Sequence, residues 1–131
     1  MRSRILFVSG HQDDACRISQ MLQTTRLMVD HAGTLQQART QLQQEDYDVI
    51  LTEAALPDGN WLDVLHLARE TPREVEVIVT DPQADARFWS EALNLGAYDL
   101  LAQPFYQPEV CRILGNACSR QTYHRWGMAA S

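Results

Sequence analysis

A glutamate, Glu53, stands where a run of buried-strand character, Asp48-Val49-Ile50-Leu51-Thr52, gives way to the turn Leu56-Pro57-Asp58-Gly59. A carboxylate at the end of an apolar strand is a charge that must find partners. Ser9 and Gln103 follow other apolar runs and could donate a hydroxyl and an amide to it, with Thr80 joining them. Such a network satisfies a partly buried charge without a metal. Asp13 and Asp14 look like an acidic pair, but they read better as the first turn of a helix, where carboxylates suit the dipole. The thiols Cys16, Cys111 and Cys118 are odd in number and lack metal-type pairing. They read as small buried or half-buried side chains; Cys111 and Cys118 share a helical face but stand too far apart for an adjacent-turn disulfide. The imidazoles His11, His31, His66 and His124 are scattered and suggest no metal site; His11 lies near the crevice and is expected to be solvated in its loop, the alternative being that it lines the pocket.

The elements that position these groups follow from hydrophobic spacing. Apolar runs at Ile5–Val8, Val49–Leu51, Val75–Val79 and Leu100–Ala102, with a weaker one at Leu27–Val29, are bounded by turn-type residues. Most are continuous rather than alternating, as parallel strands covered on both faces require. Between them lie helical spacings: Ala15, Ile18, Met21 and Leu22; Leu35, Ala38 and Leu42; Leu62, Leu65 and Ala68; Phe88, Ala92 and Leu95. A last helix begins near Pro108 and turns Val110, Ile113, Leu114 and Ala117 inward. Pro108 at a helix start, Gly96 after a helix and Thr34 as an N-cap agree with the preferences of helix termini.

Strict strand–helix alternation implies an α/β fold: a flavodoxin-like, doubly wound, five-stranded parallel sheet of order 2-1-3-4-5. That order opens a crevice at the C-terminal ends of strands 1 and 3. The expected domain covers residues 1–120, with 121–131 as a tail or the start of a linker. The chain has 131 residues, 45% of them hydrophobic, enough for one core and too apolar for disorder. Its net charge of −6 argues against gripping nucleic acid directly. No apolar run spans a membrane, and the N-terminal apolar stretch is too short for a signal core, so a cytoplasmic location is expected.

Tyr47-Asp48-Val49-Ile50-Leu51-Thr52 leading to Leu56-Pro57-Asp58-Gly59, and Gly96-Ala97-Tyr98-Asp99-Leu100-Leu101-Ala102-Gln103-Pro104-Phe105, together resemble the response-regulator receiver domain of two-component signalling. The resemblance covers residues 4–120. It implies a phosphoacceptor at Glu53, an acidic pair at Ser9 and Gly10 that would help hold Mg²⁺, an activating lysine at Gln103 and a switch aromatic at Leu100. Thr80 alone keeps the family's residue type; Asp81 follows it, where a small residue is usual. Losing both metal carboxylates and the lysine removes several kcal/mol of charge stabilisation from phosphoryl transfer.

The resemblance therefore implies a degenerate, pseudo-receiver pocket with no catalytic residues, no metal ligands, no cofactor, and Mg²⁺ binding lost or weak. Glu53 as a phosphomimic is disfavoured, because Leu100 has no ring to read the switch. Trp61 either covers the pocket mouth or packs at the start of helix 3. Trp89, Tyr98, Phe105 and Tyr106 mark a candidate interface on helix 4, strand 5 and helix 5, suited to a homodimer or to a kinase, regulator or output partner; the alternative is that Trp89 and Phe105 are core or half-exposed packing. Neither direct nucleic-acid binding nor membrane association is expected. The alternative is a conventional Mg²⁺-dependent receiver controlling an output domain outside this chain. A flavin-binding domain of the same topology is disfavoured, because Ser9-Gly10-His11-Gln12-Asp13-Asp14 is too acidic to cradle a phosphate.

Overall fold

The computed structural model describes residues 3–83 and 85–130. Strands β1 (Ser3–Val8), β2 (Leu27–Ala32), β3 (Val49–Glu53), β4 (Glu76–Asp81) and β5 (Asp99–Ala102) alternate with five helices. These are α1 (Gln12–Met21), α2 (Leu35–Gln44), α3 (Trp61–Glu70), α4 (Ala86–Leu95) and α5 (Gln107–Ala130). A two-residue ribbon, Ala55–Leu56 against Gly59–Asn60, links β3 to α3. The five strands pair in parallel in the order β2-β1-β3-β4-β5, which is the flavodoxin-like topology expected. The segment 121–130 continues α5, and the side chains of residues 121–131 lie outside the described residues.

The continuity of the apolar runs has a direct cause. Successive strand residues point to opposite faces, and both faces are covered. Leu6, Val8, Ile50, Val77, Val79 and Leu100 pack toward α2, α3 and α4. Ile5, Phe7, Val49, Leu51, Ile78 and Leu101 pack toward α1 and α5. Phe7 is fully buried; burying such a side chain contributes about 1.5–3 kcal/mol. The inward faces of α1 and α5 are as the spacing predicts, with Ala15, Ile18, Leu22, Val110, Ile113, Leu114 and Ala117 buried.

Two inward assignments are corrected. Leu62 and Leu95 are exposed, and α3 instead buries Trp61, Val64, Leu65, Leu67 and Ala68. The helix is rotated so that its first residue, Trp61, is the anchor, packed edge-on against Phe88. This corresponds to packing at the start of the helix rather than covering a pocket. Cys16 is exposed on α1, while Cys111 is half-buried and Cys118 buried.

Helix starts are fixed by side chains. Thr34 accepts from Gln37 N, as expected of an N-cap, and Asp85 accepts from Phe88 N. Asn60 and Asp63 form a reciprocal capping box on α3. Asp58, in the loop after β3, accepts from Leu35 N at 2.7 Å and Gln36 N at 3.1 Å, capping α2 from another element. Gly96 closes α4 at φ 121°, a left-handed value that suits glycine.

Candidate functional site

The buried polar side chains among the described residues are Ser9, Thr52, Glu53 and Thr80. All four lie at the C-terminal ends of β1, β3 and β4, so the polar seam of the core coincides with the crevice that the strand order predicts. Thr80 and Asp81, expected just after the fourth strand, are its last two residues, paired with Glu53 and Ala102 respectively.

Glu53 is nine-tenths buried, with 10% of its side chain exposed. Both its oxygens are engaged. Oε1 accepts from the backbone N–H of Gly10 at 2.8 Å, and Oε2 lies 2.9 Å from Nδ1 of His11. The hydrogen bond to Glu53, and then its charge, raise the His11 pKa above its ordinary value; desolvation opposes this and the charge of Asp14 adds to it. An imidazolium there turns the contact into an ion pair.

The network expected around Glu53 is therefore corrected. Neither Ser9 nor Gln103 is its partner. Ser9 Oγ donates to His11 O and accepts from His11 N, closing the β1–α1 turn on itself. Gln103 Nε2 donates to Thr80 Oγ1 at 3.1 Å, and that hydroxyl donates to Leu101 O at 2.7 Å. The pocket thus divides into two separate polar groups. The cause is the length of glutamate: its extra methylene carries the carboxylate across to the β1–α1 loop. The loop can come close because position 10 is a glycine; a Cβ there would lie 3.3 Å from Pro57 Cδ and Cγ.

His11 stands between solvent and the pocket. Its side chain is 72% exposed, as expected of a loop histidine, yet its ring is tied to a buried carboxylate. Asp14 is in the first turn of α1 as expected, and its N–H donates to His11 O. A ring nitrogen of His11 and one carboxylate oxygen each of Asp14 and Glu53 lie within 4.8 Å of one another. Sequence spacing gave no sign of this group, because Glu53 is far along the chain from the other two and only the β1–β3 pairing joins them.

The remaining sites fall as follows. Asp81 is half-buried and its Oδ1 accepts from Gln83 N, an Asx-type turn within its own loop. Leu100 is buried in the core on the α4 side. Of the four aromatics, Trp89 and Tyr106 are exposed, at 37% and 65%. Phe105 packs edge-on against Phe7, and Tyr98 lies half-buried beneath the Arg120 guanidinium. Phe105 therefore belongs to the edge of the core, while Leu93 and Leu95 join Trp89 as exposed apolar residues of α4.

The sequence pattern of the response regulator receiver domain matches residues 5–114. The chain belongs to the receiver domain family. This receiver is 30% identical over 96 residues to the response regulator protein PilR of Pseudomonas aeruginosa, a match covering 70% of this chain and 22% of PilR. It is 33% identical over 73 residues to the transcriptional regulatory protein DpiA of Escherichia coli K12, covering 56% of this chain and 32% of DpiA. The receiver therefore spans only a minor part of these curated relatives.

Among solved structures, a signal receiver domain from Vibrio parahaemolyticus aligns with a TM-score of 0.89 at 19% identity, covering 96% of this chain and 97% of that one. The beryllofluoride-activated NtrC4 receiver domain dimer aligns at 0.82 and 23% identity, covering 90% and 98%. These likenesses establish the fold.

At the aligned positions, this receiver offers few free oxygen ligands to the Mg²⁺ that the family implies. Such an ion needs a nearly complete shell of oxygen ligands. Position 9 offers a hydroxyl already bonded within its turn, position 10 offers no side chain, and both oxygens of Glu53 are engaged. Among the described residues, no helix is long and apolar enough to cross a membrane.

Proposed function

We propose that this receiver is a degenerate, phosphorylation-independent module of a two-component response regulator, acting through protein contacts and not as an enzyme. The observation that carries this is the engagement of both Glu53 oxygens by the β1–α1 loop. A phosphoryl acceptor needs a free oxygen, a cation beside it and donors aimed at the incoming group. Here the carboxylate serves as a tie between β3 and the loop after β1. Thr80 is the one family residue that favours conventional phosphorylation, but its hydroxyl already donates to Leu101 O.

The receiver would work inside a cytoplasmic regulator that continues into an output module, as the transcriptional regulators it resembles suggest. Its partners would be that output module, a kinase or another regulator. The exposed apolar residues Trp89, Leu93, Leu95 and Tyr106 offer the contact surface on and beside α4, with Tyr98 at its margin. The same face would serve a homodimer, the state in which the NtrC4 receiver was solved. Direct contact with nucleic acid or membrane forms no part of this reading.

The test is incubation with acetyl phosphate, or with a beryllofluoride mixture, in the presence of Mg²⁺. The expected result is no covalent mass increment and no Mg²⁺-dependent change in tryptophan fluorescence. A phosphorylated species mapping to Glu53 would establish the conventional reading instead.

A further inference from the structure

Helix α4 has little of its own to hold it in place. Of its residues only Ala92 is buried and Phe88 half-buried, while Trp89, Leu93 and Leu95 stand exposed. Helices in proteins are held chiefly by packing of an apolar face, so one that buries this little takes its position from the few contacts it has. Two of those contacts come from α3. In the first turn of α4 the Phe88 ring meets the buried Trp61 edge-on, with centroids 5.8 Å apart and planes at 66°. At its last residue the Leu95 carbonyl accepts from Arg69 Nη2 at 2.9 Å.

We propose that α3 clamps α4 through these two contacts, and that Trp61 and Arg69 are positioning residues for the exposed face of Trp89 and Leu93. The points of contact lie about two helical turns apart on each helix, so they fix α4 along its length and leave no pivot. Both contacts are directional. An edge-to-face pair sets the orientation of its rings. A guanidinium at a helix C-terminus adds attraction by the negative end of the dipole to its hydrogen bond. Gly96 makes room for this second contact, since a Cβ there would lie 2.8 Å from Arg69 Nη2. The glycine that ends α4 thus also admits the cation that holds it.

The crevice has no comparable grip on the helix. Among the described residues, the Thr80 hydroxyl bonds to Leu101 O and to Gln103, and Asp81 accepts within its own loop. None of these side-chain bonds reaches α4, so the exposed face is preset by α3 and stays in place when the crevice changes. The clamp deepens the phosphorylation-independent reading and rests on it only for what that face does. Its test uses neither phosphodonor nor partner, which keeps the outcome separate from the phosphorylation test.

The test is amide hydrogen exchange of the full chain, followed residue by residue by NMR beside urea unfolding. Arg69→Gln, an exposed change, should speed exchange at Leu93 and Leu95 by about two- to tenfold, as loss of one hydrogen bond implies, with the urea midpoint little changed. Arg69→Lys keeps a donor and a charge and should restore most of the protection. Phe88→Leu cuts the ring contact from the α4 side, leaves Trp61 in place, and should also speed exchange along α4. Glu53→Ala and Thr80→Val should leave α4 exchange as it is. Unchanged α4 exchange in either Arg69→Gln or Phe88→Leu, or no recovery in Arg69→Lys, would overturn the proposal. So would loosening of α4 by Glu53→Ala or Thr80→Val as large as that by Arg69→Gln.

Discussion

Replacing Glu53 by alanine and by glutamine separates what its carboxylate holds from what its charge does. Alanine removes a charge-assisted hydrogen bond from the Gly10 N–H, a type of bond that contributes about 1.5–3 kcal/mol. It also removes the contact with His11, whose ring is 72% exposed, so this loss is only about 0.2–1 kcal/mol. Against both stands the relief of burying a carboxylate, which offsets part of the loss. The net expectation is a destabilisation of about 1–2 kcal/mol. With a urea dependence of about 2 kcal/mol per molar, the middle of the usual range, the unfolding midpoint falls by about 0.5–1 M.

Glutamine keeps an oxygen facing Gly10 and loses only the charge, so Glu53→Gln should cost less than about 1 kcal/mol. The assay is urea unfolding of the three proteins, with the Gly10 amide resonance recorded for each and for Gln103→Ala. The resonance should move in Glu53→Ala and stay in place in Gln103→Ala, because Gln103 bonds to Thr80 and not to Glu53. The reasoning fails if Glu53→Gln is the less stable of the two, or if Gln103→Ala moves the Gly10 amide as far as Glu53→Ala does.

Two further outcomes follow from polar contacts at helix and strand ends. The backbone N–H of Leu35 first, and that of Gln36, hold the Asp58 carboxyl below its ordinary value of 3.8, despite some desolvation. A depressed carboxyl stabilises the fold above its unfolded value and loses that contribution as the pH falls through its folded one; Asp58→Asn should therefore flatten the acid limb of a melting-temperature profile below about pH 4. Thr80→Val keeps the shape but leaves Leu101 O without its hydroxyl donor; urea unfolding should show a loss of about 1–3 kcal/mol, and an unchanged midpoint would mean that the bond contributes nothing.

Strand identity, strand order and the position of the pocket were all legible in the sequence, because a parallel sheet covered on both faces writes itself as continuous apolar runs. The crevice residues Ser9, Gly10, Glu53, Thr80 and Gln103 were legible for the same reason. Their pairing was not. Whether Glu53 reaches Gln103 or the β1–α1 loop depends on one methylene and on how closely Gly10 approaches Pro57, and periodicity carries neither. Leu62 and Leu95 were misassigned because a short helix with several apolar residues allows more than one buried face. Trp61 and the strand surface beneath it select among them.

The contact between Gly10 and Pro57 also bears on which side chains position 10 could hold. A side chain at position 10 would begin with a Cβ 3.3 Å from two ring carbons of Pro57. Placing a carboxylate there is thus more than a local exchange, since two loops from different parts of the chain must part by a few tenths of an ångström. Position 10 and Pro57 are therefore coupled: what one can hold depends on where the other sits.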